Sequence, residues 1–512
     1  MSENTTASPA AAPADDGKDG HIHGYGTPGY RTYVLNALLF IYILNFIDRG
    51  LLSVVARPLK AELMISDTAF GLLSGFGFAL LYTVVGIPLA RIAETHNRVK
   101  IMAGCVALWS IMTALCGLAA DITVFGIVIG GFWILLLFRV GVGIGEAGCT
   151  PPANSLIADY YPPKKRSTAL GYYAMGVTLG TMLANLIGGP VTDIFGWRMA
   201  FFVLGLPGVL VAVILLKTVK EPPRGYTDPP GAERPERAEL NVAIKELLSK
   251  PSYWTMTLGA TFAAFCGYAI ANFQSLYLQR TFDLTAGQAA VQFNVPAYAF
   301  GALGTVALGY LAERLSSRNA AAIAWLASGG LFLSIPFFGL AFTTTSAILC
   351  VFGLAMGNAI KYGYLAAQYT IGQGVVSMRV RATATAVLLF VVNLLGYGLG
   401  PLFAGVVSDF WFRRDLATAG YTDVVSRAMC DAAQTVVTAA QRVAETPVST
   451  GEIQTMLQGL AQPMTPEQYD FCLVANQSST QASMLTITLM YGIAGVFFAV
   501  CALRLKQDLV AK

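Results

Sequence analysis

The sequence predicts an all-α membrane protein of twelve transmembrane helices in two six-helix halves. Three observations carry this reading. The 512-residue chain is 55% hydrophobic, only 12% charged, and has a mean hydropathy of +0.59; a soluble globular chain carries about twice that charged fraction. Charge-free apolar stretches recur along its whole length, and the one from Asn319 to Ile360 has room for two crossings with a turn at Pro336 or near Thr343. Short motifs at the ends of helices also repeat between the two halves. The net charge of +4 gives no reason to expect a nucleic-acid partner.

Residues 1–30 are rich in Ala, Pro, Gly, Asp and Ser and have no apolar core, so they read as a disordered tail without a signal peptide. The first helix then serves as its own insertion signal. His21 and His23 lie in that tail and read as solvated rather than metal-binding. Apolar runs place helices near 32–55, 68–92, 99–120, 132–158, 168–191 and 199–217, a first half spanning 31–217. A second set near 252–279, 288–312, 319–341, 345–373, 382–407 and 482–505 forms a second half spanning 252–507. Between the halves, 218–251 is charged and proline-rich, a cytoplasmic linker with an amphipathic helix near Glu239–Leu248. Residues 408–481 read as a long loop on the opposite side, with helical spacing in Met429–Val443.

An even number of crossings puts both termini on one side. With the N-terminus in the cytoplasm, Arg91, Arg98, Lys100, Lys164, Lys165, Arg166, the linker basics, Arg314, Arg318, Arg379, Arg381, Arg504 and Lys506 fall inside. Only Arg57, Lys60, Arg198, Arg280 and four residues of the 408–481 loop fall outside. That asymmetry orients the chain with cytoplasmic termini in a bacterial-type plasma membrane.

Four charges break the apolar pattern. Asp48 and Arg49 sit deep in the first helix, Arg139 and Glu146 deep in the fourth. Charge in hydrocarbon is costly and usually faces a partner or a water-filled path. Asp48 lies roughly 24 Å from the inner end of its helix and Glu146 roughly 18 Å from the inner end of its own, so all four share a similar depth. A neighbouring Arg that moves between carboxylates would switch their protonation, a physical route to proton coupling by Asp48, Arg49 and Glu146. The bland alternative is a static ion pair holding two helices together. Lys361 is a lone cation in the tenth helix beside Tyr362 and Tyr364; it can meet an anionic head group or pair with a distant acid. Arg139, Arg49, Lys361 and Asn272 are the candidate substrate contacts.

The halves echo one another. Arg166-Ser167-Thr168-Ala169 opens one helix and Arg381-Ala382-Thr383-Ala384 another, and each leads to a Gly-rich helix ending at Asp193 or Asp409. Gly309-Tyr310-Leu311-Ala312-Glu313-Arg314, followed by Arg318, matches Ala90-Arg91-Ile92-Ala93-Glu94, followed by Arg98. Glu94, Arg98, Glu313, Arg314 and Arg318 are read as a charge latch on the cytoplasmic side. Two such halves suit a secondary transporter with its site at their interface.

The loop pattern in 309–318 resembles the signature of the major facilitator superfamily, although Glu94-Thr95 departs from it in the first half. Within that superfamily the chain is similar to the Spinster family. The likeness rests on Asn45-Phe46-Ile47-Asp48-Arg49, on Arg139-Val140-Gly141-Val142-Gly143-Ile144-Gly145-Glu146-Ala147, on Ile157-Ala158-Asp159 and on Glu221-Pro222-Pro223-Arg224-Gly225. The resemblance implies flux of sphingosine phosphates or lysophospholipids with proton coupling. The 408–481 segment and Lys361 depart from the family pattern.

Other strings are better read as structure. Gly143-x-Gly145-x-x-Gly148 fits a dinucleotide pattern by letter but lies inside a membrane helix, where small residues allow close packing. No Walker A string, nucleophile elbow or zinc-ligand spacing occurs, which argues against ATP-driven pumping and enzymatic chemistry and predicts no cofactor. Phe40, Phe76, Phe265 and Phe273 suit either a lipid tail or helix packing. Of eight cysteines, Cys430 and Cys472 share the outside loop, where disulfides persist, and are expected to be joined. The sequence therefore predicts a monomer in the lipid bilayer that moves an anionic amphipathic lipid with protons by alternating access. A drug or metabolite antiporter, and a non-transporting receptor or scaffold, stand as alternatives.

Overall fold

The computed structural model describes residues 20–228, 240–316, 320–422, 424–443 and 448–508. Among the described residues, twelve helices are long and apolar enough to cross a bilayer. In the first half they are α1 (Pro28–Val54), α2 (Asp67–Thr95), α3 (Arg98–Cys116), α4 (Gly131–Tyr160), α5 (Pro163–Phe195) and α6 (Trp197–Thr218). In the second half they are α7 (Pro251–Thr281), α8 (Ala286–Ala312), α9 (Ala321–Thr343), α10 (Ala347–Gly374), α11 (Thr383–Ala419) and α12 (Pro466–Asp508). Exposed side chains on these helices are often large and apolar, such as Leu137, Leu303 and Val306, as expected of lipid-facing surface.

Local chemistry sets the helix starts. Thr27 accepts from the Tyr30 N–H ahead of Pro28, Ser66 caps Ala69 and Asn97 caps Lys100. Between α3 and α4 a small hairpin pairs β1 (Ile122–Val124) with β2 (Ile127–Ile129). Phe125 and Gly126 turn it with φ of 51° and 80°, the left-handed pair a two-residue hairpin needs. Three π-helical turns interrupt the membrane helices, at Leu72–Phe76 in α2, Ala289–Asn294 in α8 and Val392–Tyr397 in α11.

Within the halves, α1 packs along α5, α4 along α2 and α3, and α12 along α7 and α9. Gly180 brings α5 against α1 so closely that a Cβ would lie 2.5 Å from the Ile43 carbonyl oxygen. The halves meet at the end of the bundle away from the chain termini. There α2 packs on α11, α1 on α7, and α5 on α8. A Cβ at Gly75 would lie 2.6 Å from the Gly398 oxygen. The Ser53 hydroxyl donates to the Ala271 and Asn272 carbonyls, and Asn294 donates to Asn185.

The segment expected to form a long loop over 408–481 is mostly helical. α11 continues to Ala419 and α12 already begins at Pro466. Between them lie the helices Arg427–Val443 and Thr450–Gln458. The first buries Cys430, Ala433 and Val437 against Leu416, Leu457, Met464 and Cys472, a small core that loop composition does not reveal. Cys430 and Cys472 are disulfide-bonded, 42 residues apart in sequence. Replacing both by Ser should cost about 2–4 kcal/mol in the local stability of this unit, read as faster amide exchange confined to 424–443 and 466–480; unchanged exchange would mean that the small core suffices alone.

The linker helix Leu240–Leu248 buries Ala243 and Leu247. Glu246 accepts from the Ser377 N–H and hydroxyl at 2.6 and 2.9 Å, which docks the linker onto the second half.

Candidate functional site

α1 and α4 run antiparallel, and their charged residues interlock. Successive residues on α1 point about 100° apart, so Asp48 and Arg49 can reach groups two turns apart on α4. Arg139 Nη1 donates to Asp48 Oδ2 at 2.8 Å, and the Thr113 hydroxyl of α3 donates to Asp48 Oδ1 at 2.6 Å. Arg49 Nε donates to Glu146 Oε2 at 2.7 Å. Asp48, Arg139 and Glu146 are buried, Glu146 at 0% exposure. Among the described residues, Glu146 Oε1 and Arg139 Nε have no hydrogen-bond partner, so the set is electrically paired without being saturated. A small cavity lined by Leu44, Trp109, Ser110, Gly205 and Gly208 adjoins Asp48.

Arg49 is the member of the set that reaches the second half. Its guanidinium lies 5.0 Å from the Phe46 and Phe78 rings, 4.8 Å from Tyr82 and 5.7 Å from Tyr397. Tyr397 belongs to the π-helical turn of α11 and packs 4.4 Å from Tyr268 of α7. An aromatic cage of this kind holds a cation whose hydration has been removed. Tyrosine from both halves thus surrounds the Arg49 guanidinium.

The other candidate contacts lie in the second half. Asn272 of α7 donates to the Tyr268 carbonyl at 2.9 Å, and its own carbonyl accepts from Ser53 of α1. Lys361 is 3% exposed and has no hydrogen bond or ion pair among the described residues. Its ammonium lies 4.9 Å from the Tyr362 ring and 5.6 Å from Phe338. Phe273 is fully buried, 5.4 Å from Phe70 across the halves, whereas Phe40 is half exposed.

Arg98 takes partners within its own half and the linker. It donates to Asp159 at 2.5 Å, Glu221 at 2.6 Å and Ser155 at 2.7 Å. These neighbours saturate the guanidinium, so Arg98 ties α3 to α4 and the linker instead of joining Glu94 in a latch. Glu94 and Arg314 make further contacts of their own. Arg318 and the Glu313 side chain lie outside what the structure describes.

Sequence reasoning passed over the densest charge cluster, at the end away from the termini. Asp67, at the start of α2, accepts from Arg280 at 2.7 and 2.9 Å, from Arg427 at 2.7 Å, from Ser408 at 2.7 Å and from Lys60. Asp431 accepts from Lys60 at 2.7 Å and from Arg280 at 2.8 and 3.0 Å. Asp409 accepts from the Thr68 N–H and hydroxyl, both at 2.7 Å. The cluster therefore joins the first half (Lys60, Asp67), the second half (Arg280, Asp409) and the 420–465 insertion (Arg427, Asp431). In sequence these residues are single charges near helix ends, which read as ordinary surface charge, and only folding shows that Lys60, Asp67, Arg280 and Asp431 are fully buried.

Burial by itself would raise the Asp431 carboxyl, but Arg280 and Lys60 outweigh it and hold it below the usual carboxylate range. A depressed carboxylate stabilises the fold above its unfolded value and loses that contribution as pH falls through its folded value. The cluster's own contribution to closure at this end should therefore be insensitive to pH between about 5 and 8 and be lost only below about 4. Spin labels at the exposed positions Met64 and Val424 would report it in a protein carrying both Asp48→Asn and Glu146→Gln, whose four-charge set no longer titrates; a distance change near pH 6 in that protein would contradict this assignment.

Comparison with known proteins agrees with this fold. Residues 38–401 match the family model described as Major Facilitator Superfamily. An "MFS-type efflux pump" of Mycolicibacterium smegmatis is 34% identical over 375 residues, 73% of this chain and 84% of that protein. Human "Protein spinster homolog 1" is 28% identical over 404 residues, 75% of this chain and 74% of that protein. Two crystal structures of a bacterial homologue of the human lysosomal transporter Spinster are 38% identical and cover 95% of this chain and all of theirs. The TM-score is 0.81 for the inward-facing unoccupied form and 0.77 for the inward-facing occupied form.

Proposed function

The chain belongs to the Major Facilitator Superfamily, as a transporter related to the Spinster proteins, and from that premise we propose that it couples the movement of an anionic amphipathic lipid of the lysophospholipid or sphingosine-phosphate type to protons. The observation that carries the proposal is the crossed pair of ion bridges, Asp48–Arg139 and Arg49–Glu146, set against an aromatic cage that spans both halves. Protonating Glu146 removes the countercharge of Arg49 and leaves that guanidinium held by rings alone, free to follow Tyr397. Protonating Asp48 likewise frees Arg139 to meet an anionic head group, for which its forked donors are suited. The anion and the ionised carboxylates then compete for the same two arginines, so protonation favours anion binding, and that linkage is what coupling requires. Asn272 and Lys361 present polar groups from the opposite half.

The closed end away from the termini supports an inward-facing state of a protein whose termini are cytoplasmic, in a plasma membrane. Proteoliposomes loaded with unlabelled lysophosphatidate and given labelled lysophosphatidate outside test the reading. Counterflow that a protonophore leaves intact, together with net flux that follows an imposed pH gradient, is expected. Absence of counterflow for any amphiphile would point to a receptor or scaffold. The relative named as an efflux pump supports a second reading, drug or metabolite antiport, which the same vesicles address with cationic dyes.

A further inference from the structure

In the first half the formal charges cancel: Arg49 and Arg139 face Glu146 and Asp48 one to one. In this state the four-charge set has no positive charge to spare for an anion. The second half differs. Lys361 is 3% exposed as a residue, and among the described residues no acid, carbonyl or hydroxyl is bonded to its ammonium. Tyr491 of α12 is 0% exposed, and its hydroxyl also lacks any hydrogen-bond partner. One ring connects the two. Phe338 of α9 lies 5.6 Å from the Lys361 ammonium and stacks on Tyr491 with ring centres 5.8 Å apart and planes 13° apart. Gly357, one turn before Lys361 on α10, makes room for that ring, because a Cβ there would lie 2.9 Å from its edge atoms.

Buried donors without acceptors are destabilising, and a buried unpaired charge more so. A membrane protein that keeps both beside one aromatic ring gains only when something else supplies acceptor oxygens. Resting on the amphiphile reading above, we infer that Lys361 and Tyr491 form an oxyanion subsite that anchors the phosphate or carboxylate of the substrate in the second half. The ammonium supplies charge and up to three N–H donors, the phenol supplies one O–H, and Phe338 forms the apolar wall beneath. The anion is then held from the second half in this state, and Arg139 of the first half joins it only once Asp48 is protonated. A phosphate head group and free inorganic phosphate share this chemistry, and the test separates them.

The experiment uses the purified full chain in detergent without phosphate, and compares wild type with Lys361→Met and Tyr491→Phe. The probes are inorganic phosphate, 1-oleoyl-lysophosphatidate and the uncharged monooleoylglycerol. Both anions should raise the melting temperature of the wild type. Lys361→Met should weaken both by on the order of tenfold or more, and Tyr491→Phe by roughly threefold to tenfold, with monooleoylglycerol unchanged throughout. Without ligand, Lys361→Met should melt no lower than wild type, since it removes an uncompensated charge. Stabilisation by phosphate with no binding of lysophosphatidate would keep the subsite and overturn the lipid reading. Lysophosphatidate binding equally to wild type and both variants would overturn the subsite and leave the lipid reading standing. No effect of either anion on the wild type would also overturn the subsite.

Discussion

Glu146→Gln and Asp48→Asn proteins should insert and fold, yet lose the pH dependence of their conformational equilibrium. Each amide keeps the shape of the side chain and fixes it in the uncharged form, so Arg49 or Arg139 is permanently short of its countercharge. In the wild type, one linked proton shifts the balance between states by about 1.4 kcal/mol, or tenfold, for each pH unit over which it titrates. Spin labels at Lys164 and Met378, exposed positions near the terminal end of each half, would read that balance. A flat profile is expected for both variants. A wild-type response surviving in both would mean that the ion bridges only hold α1 to α4.

The second large effect concerns the cluster at the other end. Asp67→Asn leaves Arg280, Arg427 and Lys60 around a neutral amide in a buried site. Breaking a buried ion pair by removing one partner costs about 3–5 kcal/mol, and here that cost falls on the closed state, because separation of the halves would expose the cations to water. The expected outcome is a larger Met64–Val424 distance and a population displaced towards opening at that end. An Arg280→Met protein should behave alike, since Arg280 bonds both Asp67 and Asp431. An unchanged distance in both proteins would assign the closure to the apolar contact of α2 with α11 instead.

The membrane helices were legible because hydrocarbon imposes a simple rule on composition, and their ends differ from the expected positions by only a few residues over most of the chain. The four-charge set was legible for the same reason: charge stands out where apolar residues are required. The 420–465 insertion was not. Its helices lie outside the apolar spans, where helix and loop share a composition, and the Arg427–Val443 helix is held by a disulfide and a small core made of distant segments. The Asp67 cluster was hidden because its members come from four places in the chain and each sits near a helix end, where charge is unremarkable. Arg98 shows the converse. Its place in a repeated motif suggested a latch with Glu94, but Asp159 and Glu221 lie within reach and satisfy it first. Motif symmetry identifies equivalent positions and does not specify partners.

Coupling of lipid movement to protons through Asp48, Arg49, Arg139 and Glu146 should appear as proton movement driven by lipid alone. The most direct measurement records internal pH in proteoliposomes with a trapped indicator while a lysophosphatidate gradient is imposed at equal starting pH. The wild type should show a pH change that follows the lipid gradient, reverses when the gradient is reversed and disappears in Glu146→Gln. Lipid movement at wild-type rate with no pH change, or a pH change undiminished in Glu146→Gln, would contradict it.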